Sequence, residues 1–258
     1  MPESTELLVT CELAARRGAE ELIRWRSRFT TREKSAHDLV TDSDLASQKA
    51  IHEVISSAFP EHGFLGEESP DPTQLEEPYC WVVDPLDGTT NYVHGFPCYC
   101  VSVAVAEAGR VVAGVVFDPI ANNCFKAALG QGSWLNGEPI RISRETDLSR
   151  ALVAVSFPPE IHPDSPDIQA FLRISPACQA VRRTGSAALN LSYVACGWLD
   201  AHWAAAIHSW DSAAGVLLVA EAGGVVGSFA GNEYQLAQGD YCVASSPELF
   251  DQVQALLK

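Results

Sequence analysis

The chain has 258 residues, 47% of them hydrophobic, and this is enough apolar material to bury a core without a disulfide or a structural metal. Its 33 acidic residues outnumber its 17 lysines and arginines, and the formal net charge of −16 repels phosphate backbones and anionic lipid headgroups. We therefore expect neither a nucleic-acid-binding nor a membrane-binding protein, whereas a small anionic substrate held through bound cations is compatible with this charge.

The N-terminus and the cysteines predict a reduced, cytoplasmic protein. The segment MPESTELL has neither the basic nor the apolar region of a signal peptide, and no run approaches the roughly 18 apolar residues of a membrane helix. The eight cysteines are scattered, without a CxxC pair or a spacing typical of metal sites. We expect them to act as small hydrophobic core residues.

The first half of the chain predicts two helices followed by an antiparallel sheet. Apolar residues recur near the 3.6-residue period over 5–26, and again from Thr41–Asp44 to a point just before Pro60. Short apolar or alternating runs with turn residues between them then predict strands at 81–83, 101–105, 111–118 and 123–129.

A proline-rich stretch between Ser156 and Pro176 predicts a long connection within the chain. We expect a single domain over residues 1–258, with sub-lobes of about 1–155 and 177–258 joined by this connection. Beyond it, the patterns predict helices at 187–196, 211–222 and 247–257 and strands at 200–207 and 241–244. Helices and strands in blocks favour layered α/β packing.

Two carboxylates stand three residues apart where a predicted strand ends, in the sequence WVVDPLDGTTN of residues 81–91. Asp84 and Asp87 can converge on one divalent cation or bridge two. The backbone N–H groups of Gly88 and Thr89 lie outside any strand ladder and can point at a phosphate. An ordinary Asx turn is the alternative, and this segment alone does not decide between the two.

Three further acidic motifs have structural explanations when each is taken alone. Glu67 and Glu68 point to different sides of an extended chain, so at most one faces a given metal, and a solvated acidic loop explains both. Asp44 fits the capping box of a predicted helix. Asp211 begins another predicted helix, where the helix dipole favours an aspartate.

Taken together and in this order, these motifs resemble those of the inositol monophosphatase family. The similarity runs from about Lys34 to Gly224 and rests on GEES at 66–69, DPLDGTTN at 84–91, a glycine-rich loop at 130–137, RRTGSAA at 182–188 and WDSAAG at 210–215. The resemblance implies a magnesium-dependent, lithium-sensitive phosphomonoesterase that acts on a small phosphorylated substrate. It also implies a homodimer and a layered αβαβα sandwich of the type shared with fructose-1,6-bisphosphatase.

The resemblance implies a set of ligands for two to three Mg²⁺ ions. Glu67, Asp84 and the backbone carbonyl of Leu86 would hold the first ion. Asp84, Asp87 and Asp211 would hold the second, and Glu67 would also reach a third, weakly bound ion. Such a set of oxygen donors without His or Cys suits Mg²⁺ better than zinc.

The same resemblance implies roles in catalysis and substrate binding. Thr89, oriented by Asp44, would act with Glu67 to position and deprotonate the attacking water, and the N–H groups of Gly88 and Thr89 would bind the phosphate. The residues expected around the substrate are Asp87, Gly88, Thr89, Gly185, Ser186, Ala187 and Asp211, with Lys34, Glu68 and His208 as further candidates.

One position departs from the pattern of the inositol-specific members. They carry a glutamate seven residues before the distal metal aspartate, and this chain has Ala204 there. An alanine cannot accept hydrogen bonds from ring hydroxyls, and each lost buried partner costs about 1–3 kcal/mol. Histidinol phosphate, fructose 1,6-bisphosphate, nucleotide 3′-phosphates and other sugar phosphates therefore stay open as substrates beside inositol phosphate. A regulatory, protein-binding homologue with little catalysis is the second hypothesis.

Overall fold

The computed structural model describes residues 4–35 and 37–258. Within these ranges the helices are α1 (Ser4–Trp25), α2 (Asp42–Ala58), α3 (Thr89–His94), α4 (Pro166–Ile174), α5 (Ala187–Ala195), α6 (Ser209–Glu221) and α7 (Pro247–Leu257). The strands are β1 (Thr31–Ser35), β2 (Asp38–Thr41), β3 (Gly63–Gly66), β4 (Tyr79–Asp87), β5 (Cys100–Glu107), β6 (Arg110–Asp118), β7 (Asn123–Ala128), β8 (Gly132–Leu135), β9 (Glu138–Ile140), β10 (Leu152–Val155), β11 (Ala180–Arg182), β12 (Ala201–Ala204), β13 (Val225–Gly227) and β14 (Tyr241–Ala244).

These elements stack in five layers, in the order α, β, α, β, α. Helices α1 and α2 cover one face of a seven-stranded sheet of order β3-β4-β5-β6-β7-β8-β9. Helices α5 and α6 fill the space between this sheet and a mixed five-stranded sheet of order β11-β10-β12-β14-β13, whose far face is covered by α4 and α7. The layered sandwich and the antiparallel meander of the first half are confirmed.

The outer layer places the start of α2 beside the end of β4. Gly18 of α1 lets the two helices touch, since a Cβ atom there would lie only 2.7 Å from Cδ1 of Ile51. One turn earlier on α2, Ser47 Oγ donates a hydrogen bond to the carbonyl of Pro85, at 2.9 Å. The capping residues of α2 are thereby held close to the Asp84–Asp87 segment.

The middle layer is packed closely because small residues meet at its contacts. A Cβ atom on Gly114 of β6 would lie 2.9 Å from Cα of Ala214, so α6 rests directly on the first sheet. Gly215 has the same effect toward α5, where a Cβ atom would lie 2.5 Å from Cβ of Leu191. This close packing fixes the first turn of α6, which carries Asp211, against the end of β4.

The long connection predicted over 156–176 contains a helix, α4. Pro166 fits the first turn of that helix, where its fixed φ and missing N–H are tolerated. The predicted strand over 200–207 is too long, since β12 ends at Ala204. Strand β10 (Leu152–Val155) pairs with β11 and β12, so it belongs to the second sheet although it lies at the end of the first predicted sub-lobe, 1–155. The single domain over 1–258 stays a prediction.

Within the described part of the chain, no helix combines the length and the apolar character needed to cross a membrane. The cysteines are free thiols, and five of them are buried in the core, as predicted: Cys11, Cys80, Cys100, Cys124 and Cys242.

Asp167 on α4 is a buried carboxylate in the second half of the chain, and it predicts a pH-dependent stability. It accepts the N–H of Ala205 at 2.8 Å, and burial raises its pKa to about 6. The protonated form of a carboxyl whose pKa is raised by folding is favoured in the folded state. It therefore stabilises the fold fully below the pKa of an unfolded aspartate, and this stabilisation is lost as the pH rises through 6. We expect Asp167→Asn to raise the free energy of unfolding by up to about 3 kcal/mol at pH 8.

Urea unfolding at pH 4, 6 and 8 tests this expectation, because the difference between Asp167→Asn and the parent chain shrinks to zero near pH 4. Equal stabilities at pH 8 would show that the carboxylate carries no burial penalty.

Candidate metal centre and active site

Three carboxylates converge where β4 ends. Side-chain oxygens of Asp84, Asp87 and Asp211 all lie within 4.8 Å of one another. The pairing of β4 with β5 is interrupted between Asp84 and Asp87, and this irregularity turns both side chains toward the first turn of α6. The Asx turn that the sequence left open is present as well, because the N–H of Leu86 donates to Asp84 Oδ1 at 2.9 Å.

Burial disfavours the ionised form of the carboxylates in this cluster. Asp84 is 2% exposed and Asp87 is 7% exposed. Burial, followed by the charges of neighbouring carboxylates, raises the pKa of Asp84 and of Asp211 well above the usual range of an aspartate. Burial also raises the pKa of Asp87, to about 6, although hydrogen bonds from Ser186 and Ala188 oppose the shift. A divalent cation would stabilise the ionised carboxylates, and a set of three hard carboxylate oxygen donors fits Mg²⁺.

Glu67 lies at the edge of this cluster and faces Lys34. The Lys34 ammonium lies 2.7 Å from Glu67 Oε1 and 2.6 Å from Glu68 Oε1. The hairpin of β1 and β2 thus brings a basic residue to both glutamates of the GEES motif. The charge of Glu67 contributes to the raised pKa of Asp84, so Glu67 is within electrostatic reach of the three aspartates.

Asp44 both caps helix α2 and faces Thr89, two roles that the sequence offered as alternatives. Its Oδ2 accepts hydrogen bonds from the N–H and the hydroxyl of Thr41, at 2.9 and 2.5 Å, which completes the capping box of α2. Its Oδ1 faces the hydroxyl of Thr89 at 3.2 Å. Burial raises the pKa of Asp44 to about 6. Thr89 also lies 3.0 Å from the carbonyl of Leu86, so its hydroxyl is positioned from two sides.

The turn between β4 and α3 requires a glycine at position 88. Gly88 has φ of 94°, in the left-handed region that side chains disfavour, and it stands just before Thr89, the first residue of α3. A Cβ atom there would lie 2.9 Å from the carbonyl of Cys98 and 3.3 Å from that of Gly185. The first N–H groups of a helix have no partner within the helix, so the N–H groups of Gly88 and Thr89 are not used by the hydrogen bonds of α3.

The loop that precedes α5 closes over Asp87. Ser186 Oγ donates to Asp87 Oδ2 at 2.5 Å, and the N–H groups of Ala187 and Ala188 point at the same carboxylate, at 3.3 and 2.7 Å. Asp87 therefore lies at the N-terminus of α5, where the helix dipole favours a negative charge. Gly185, Ser186 and Ala187 are thus brought to the metal cluster from the second half of the chain.

Two other positions singled out in the sequence have well-defined surroundings. The N–H of His208 donates to Asp211 Oδ2 at 2.7 Å, whereas its ring stacks on Trp210, with 4.5 Å between the ring centroids. Ala204 at the end of β12 is fully buried and pairs with Tyr241.

The sequence reasoning missed two residues that support the site. Gln48 of α2 accepts the N–H of Glu68 at 2.9 Å and donates to Ser69 Oγ at 3.0 Å, which holds the GEES turn. Asn91 of α3 donates to the backbone carbonyls of Cys98 and Thr184. Asn91 was visible as the last letter of DPLDGTTN, but a motif does not show which distant carbonyls a side chain reaches.

Comparison with known proteins places the chain in a family. The model of the inositol monophosphatase family matches residues 4–258. The chain belongs to this family. Its members are generally magnesium-dependent phosphatases of small phosphorylated substrates, so the resemblance found in the motifs is confirmed at the level of the family.

Individual relatives carry two kinds of name. The chain is 35% identical over 266 residues to an inositol-1-monophosphatase of Synechocystis sp., with 97% of this chain and 93% of the relative covered. It is 41% identical over 225 residues to the Nus factor SuhB of Xylella fastidiosa, with 84% and 80% covered. The crystal structure of the extragenic suppressor protein suhB from Bartonella henselae matches with a TM-score of 0.90 at 31% identity, covering 96% of this chain and 97% of that one.

Proposed function

We propose that this chain is a Mg²⁺-dependent phosphatase that hydrolyses a small phosphate monoester by direct attack of water. The convergence of Asp84, Asp87 and Asp211 carries the proposal, because three carboxylates within 4.8 Å of one another, two of them buried, need a cation to remain ionised together. A protein that used this fold only as a scaffold would have no physical need for such a cluster.

The proposed metal ligands come from three segments of the chain. Glu67, Asp84 and the carbonyl of Leu86 would hold one ion, and Asp84, Asp87 and Asp211 would hold a second. Glu67 would also reach a third, weaker ion, for which it must exchange its contact with Lys34. Bound Mg²⁺ ions neutralise the charge of a phosphate and lower the pKa of water at the site.

The chain's own residues would orient the reacting groups. The Thr89 hydroxyl faces the Asp44 carboxylate at 3.2 Å, so its oxygen lone pairs can accept a hydrogen bond from the attacking water. Glu67 supplies a carboxylate that can take the proton. The N–H groups of Gly88 and Thr89 would hold the phosphate oxygens, and Gly185, Ser186 and Ala187 would face the leaving alcohol because their loop covers Asp87.

The substrate is proposed to be an inositol, sugar or related polyol phosphate. Ala204 removes the carboxylate that would favour the inositol ring, so histidinol phosphate, fructose 1,6-bisphosphate and a nucleotide 3′-phosphate stay as alternatives within the same chemistry. The homodimer expected from the resemblance stays a prediction, as does the cytoplasmic location expected from the N-terminus and the cysteines.

A second candidate function is a regulatory, protein-binding role with little catalysis. The observation that favours it is the 41% identity to a protein named as the Nus factor SuhB. The two candidates differ in an observable way, because only the first requires turnover at the carboxylate cluster.

Release of inorganic phosphate tests the proposed function. The panel is inositol 1-phosphate, fructose 1,6-bisphosphate, histidinol phosphate, adenosine 3′,5′-bisphosphate and glycerol 2-phosphate, each with Mg²⁺ and with EDTA. We expect turnover of at least one compound with Mg²⁺, its loss in EDTA and its inhibition by Li⁺. Turnover that survives EDTA would refute the metal mechanism, and silence of the panel together with no Mg²⁺ binding would favour the regulatory candidate.

A further inference from the structure

Asn91 of α3 contacts a loop that lies 93 residues further along the chain. Its side-chain nitrogen donates one hydrogen bond to the carbonyl of Cys98, at 2.6 Å, and another to the carbonyl of Thr184, at 2.9 Å. Cys98 lies two residues before β5, and Thr184 lies in the loop before α5. A primary amide is well suited to this place because its NH₂ group offers two donors from one atom.

The backbone around Asn91 is shaped to receive this side chain. Gly185 has φ of 90°, and a Cβ atom on it would lie 2.8 Å from the side-chain nitrogen of Asn91. Gly88 approaches the same loop, since a Cβ atom on it would lie 3.3 Å from the carbonyl of Gly185. The two glycines therefore let the start of α3 and the loop before α5 meet with Asn91 between them.

The same loop delivers hydrogen-bond donors to Asp87. Thr184, whose carbonyl is held by Asn91, also donates from its hydroxyl to Asn190 Oδ1 at 2.8 Å, which stiffens the loop against α5. Two residues further on, Ser186 and then Ala188 donate to the Asp87 carboxylate. A displacement of the Thr184 carbonyl would thus also displace the donors of Ser186 and Ala188 that hold the Asp87 carboxylate.

We propose that Asn91 is a positioning residue that clamps loop 184–188 to the start of α3 and thereby fixes the carboxylate of Asp87. The effect on metal binding rests on the proposed function, whereas the clamp itself does not. Groups that orient a metal ligand without touching the metal typically change its affinity by 10–100-fold.

Asn91→Asp is the principal test, because it keeps the shape of the side chain and replaces both donated hydrogen bonds with an oxygen that faces two carbonyls. In hydrogen exchange measured by mass spectrometry in EDTA, we expect peptides covering 184–189 to exchange at least about 10-fold faster. In calorimetric titration, we expect the Kd for Mg²⁺ to rise about 10-fold. Asn91→Ala provides the same tests without a new charge, should the aspartate prevent folding.

Gln254→Glu is the matched control. Gln254 is a buried amide that donates to the carbonyl of Ser228 at 3.1 Å, in the outer helix α7. We expect this variant to lose stability without faster exchange in 184–189 and without a change in Mg²⁺ affinity. Unchanged exchange in 184–189 for both Asn91 variants would overturn the clamp. Absence of Mg²⁺ binding by the parent chain would instead refute the proposed function, and the exchange data would still decide the role of Asn91.

Discussion

Asp211→Asn is expected to lower Mg²⁺-dependent phosphate release by at least about 10³-fold while the protein stays folded. The carboxylate of Asp211 is one of three that surround the proposed second ion, and a neutral amide is a weaker ligand for Mg²⁺. The amide oxygen can still accept the N–H of His208, so the start of α6 is preserved. Asp87→Asn is expected to have an effect of similar size.

Asp118→Asn is the control for this comparison. Asp118 is a buried aspartate outside the three-carboxylate cluster, and it accepts the N–H groups of Ile120 and Ala121 at 2.8 and 3.1 Å. At saturating Mg²⁺, the initial rate of phosphate release by Asp118→Asn should match that of the parent chain, whereas the rates of Asp211→Asn and Asp87→Asn should be much lower. Undiminished turnover by Asp211→Asn or Asp87→Asn would remove these residues from the active site.

The second large effect concerns stability without metal. In EDTA at pH 8, Asp84→Asn is expected to raise the free energy of unfolding by about 2 kcal/mol. Burial and the neighbouring carboxylates raise the pKa of Asp84 well above that of an unfolded aspartate. Such a group stabilises the fold fully below the unfolded pKa, near 3.8, and the contribution is lost as pH rises through the folded pKa. The advantage of the variant should therefore disappear near pH 4.

With Mg²⁺ present, we expect the parent chain to be more stable than Asp84→Asn. Binding to the folded parent chain raises its Tm, because the ligand set is absent from the unfolded state. Asp84→Asn lacks the carboxylate shared by both proposed ions and should gain little. Thermal unfolding of both proteins at pH 8, with EDTA and with Mg²⁺, measures the two effects together. A parent chain that is more stable than the variant in EDTA would show that the cluster is not electrostatically strained.

Local sequence patterns predicted those parts of the site that lie close together in the chain. Asp84 and Asp87 were recognisable because a strand end and a Pro-Leu spacer fix their relative positions within four residues. The capping box of Thr41 and Asp44 was recognisable for the same reason. In both cases the geometry depends on adjacent backbone, which the residue types determine directly.

Long-range contacts were not predictable in this way. The hydrogen bonds from Asn91 to Thr184 and from Ser186 to Asp87 join segments more than 90 residues apart, and they form because α5 packs against the first sheet at β5 and β6. The strand β1 was missed because its sequence, TREKS, is polar and exposed throughout and has no apolar alternation. Helix α4 was missed because prolines suggested a loop, although one of them begins the helix.

Anomalous diffraction from crystals grown at pH 8 and soaked in Mn²⁺ tests the central claim most directly, because it locates divalent ions without requiring the correct substrate. The proposed ligand set predicts a peak bounded by Asp84, Asp87 and Asp211, and a second one between Glu67, Asp84 and the carbonyl of Leu86. Crystals of Asp84→Asn treated in the same way should show neither peak. A parent chain without anomalous density at the three aspartates would contradict the assignment of this cluster as a metal centre.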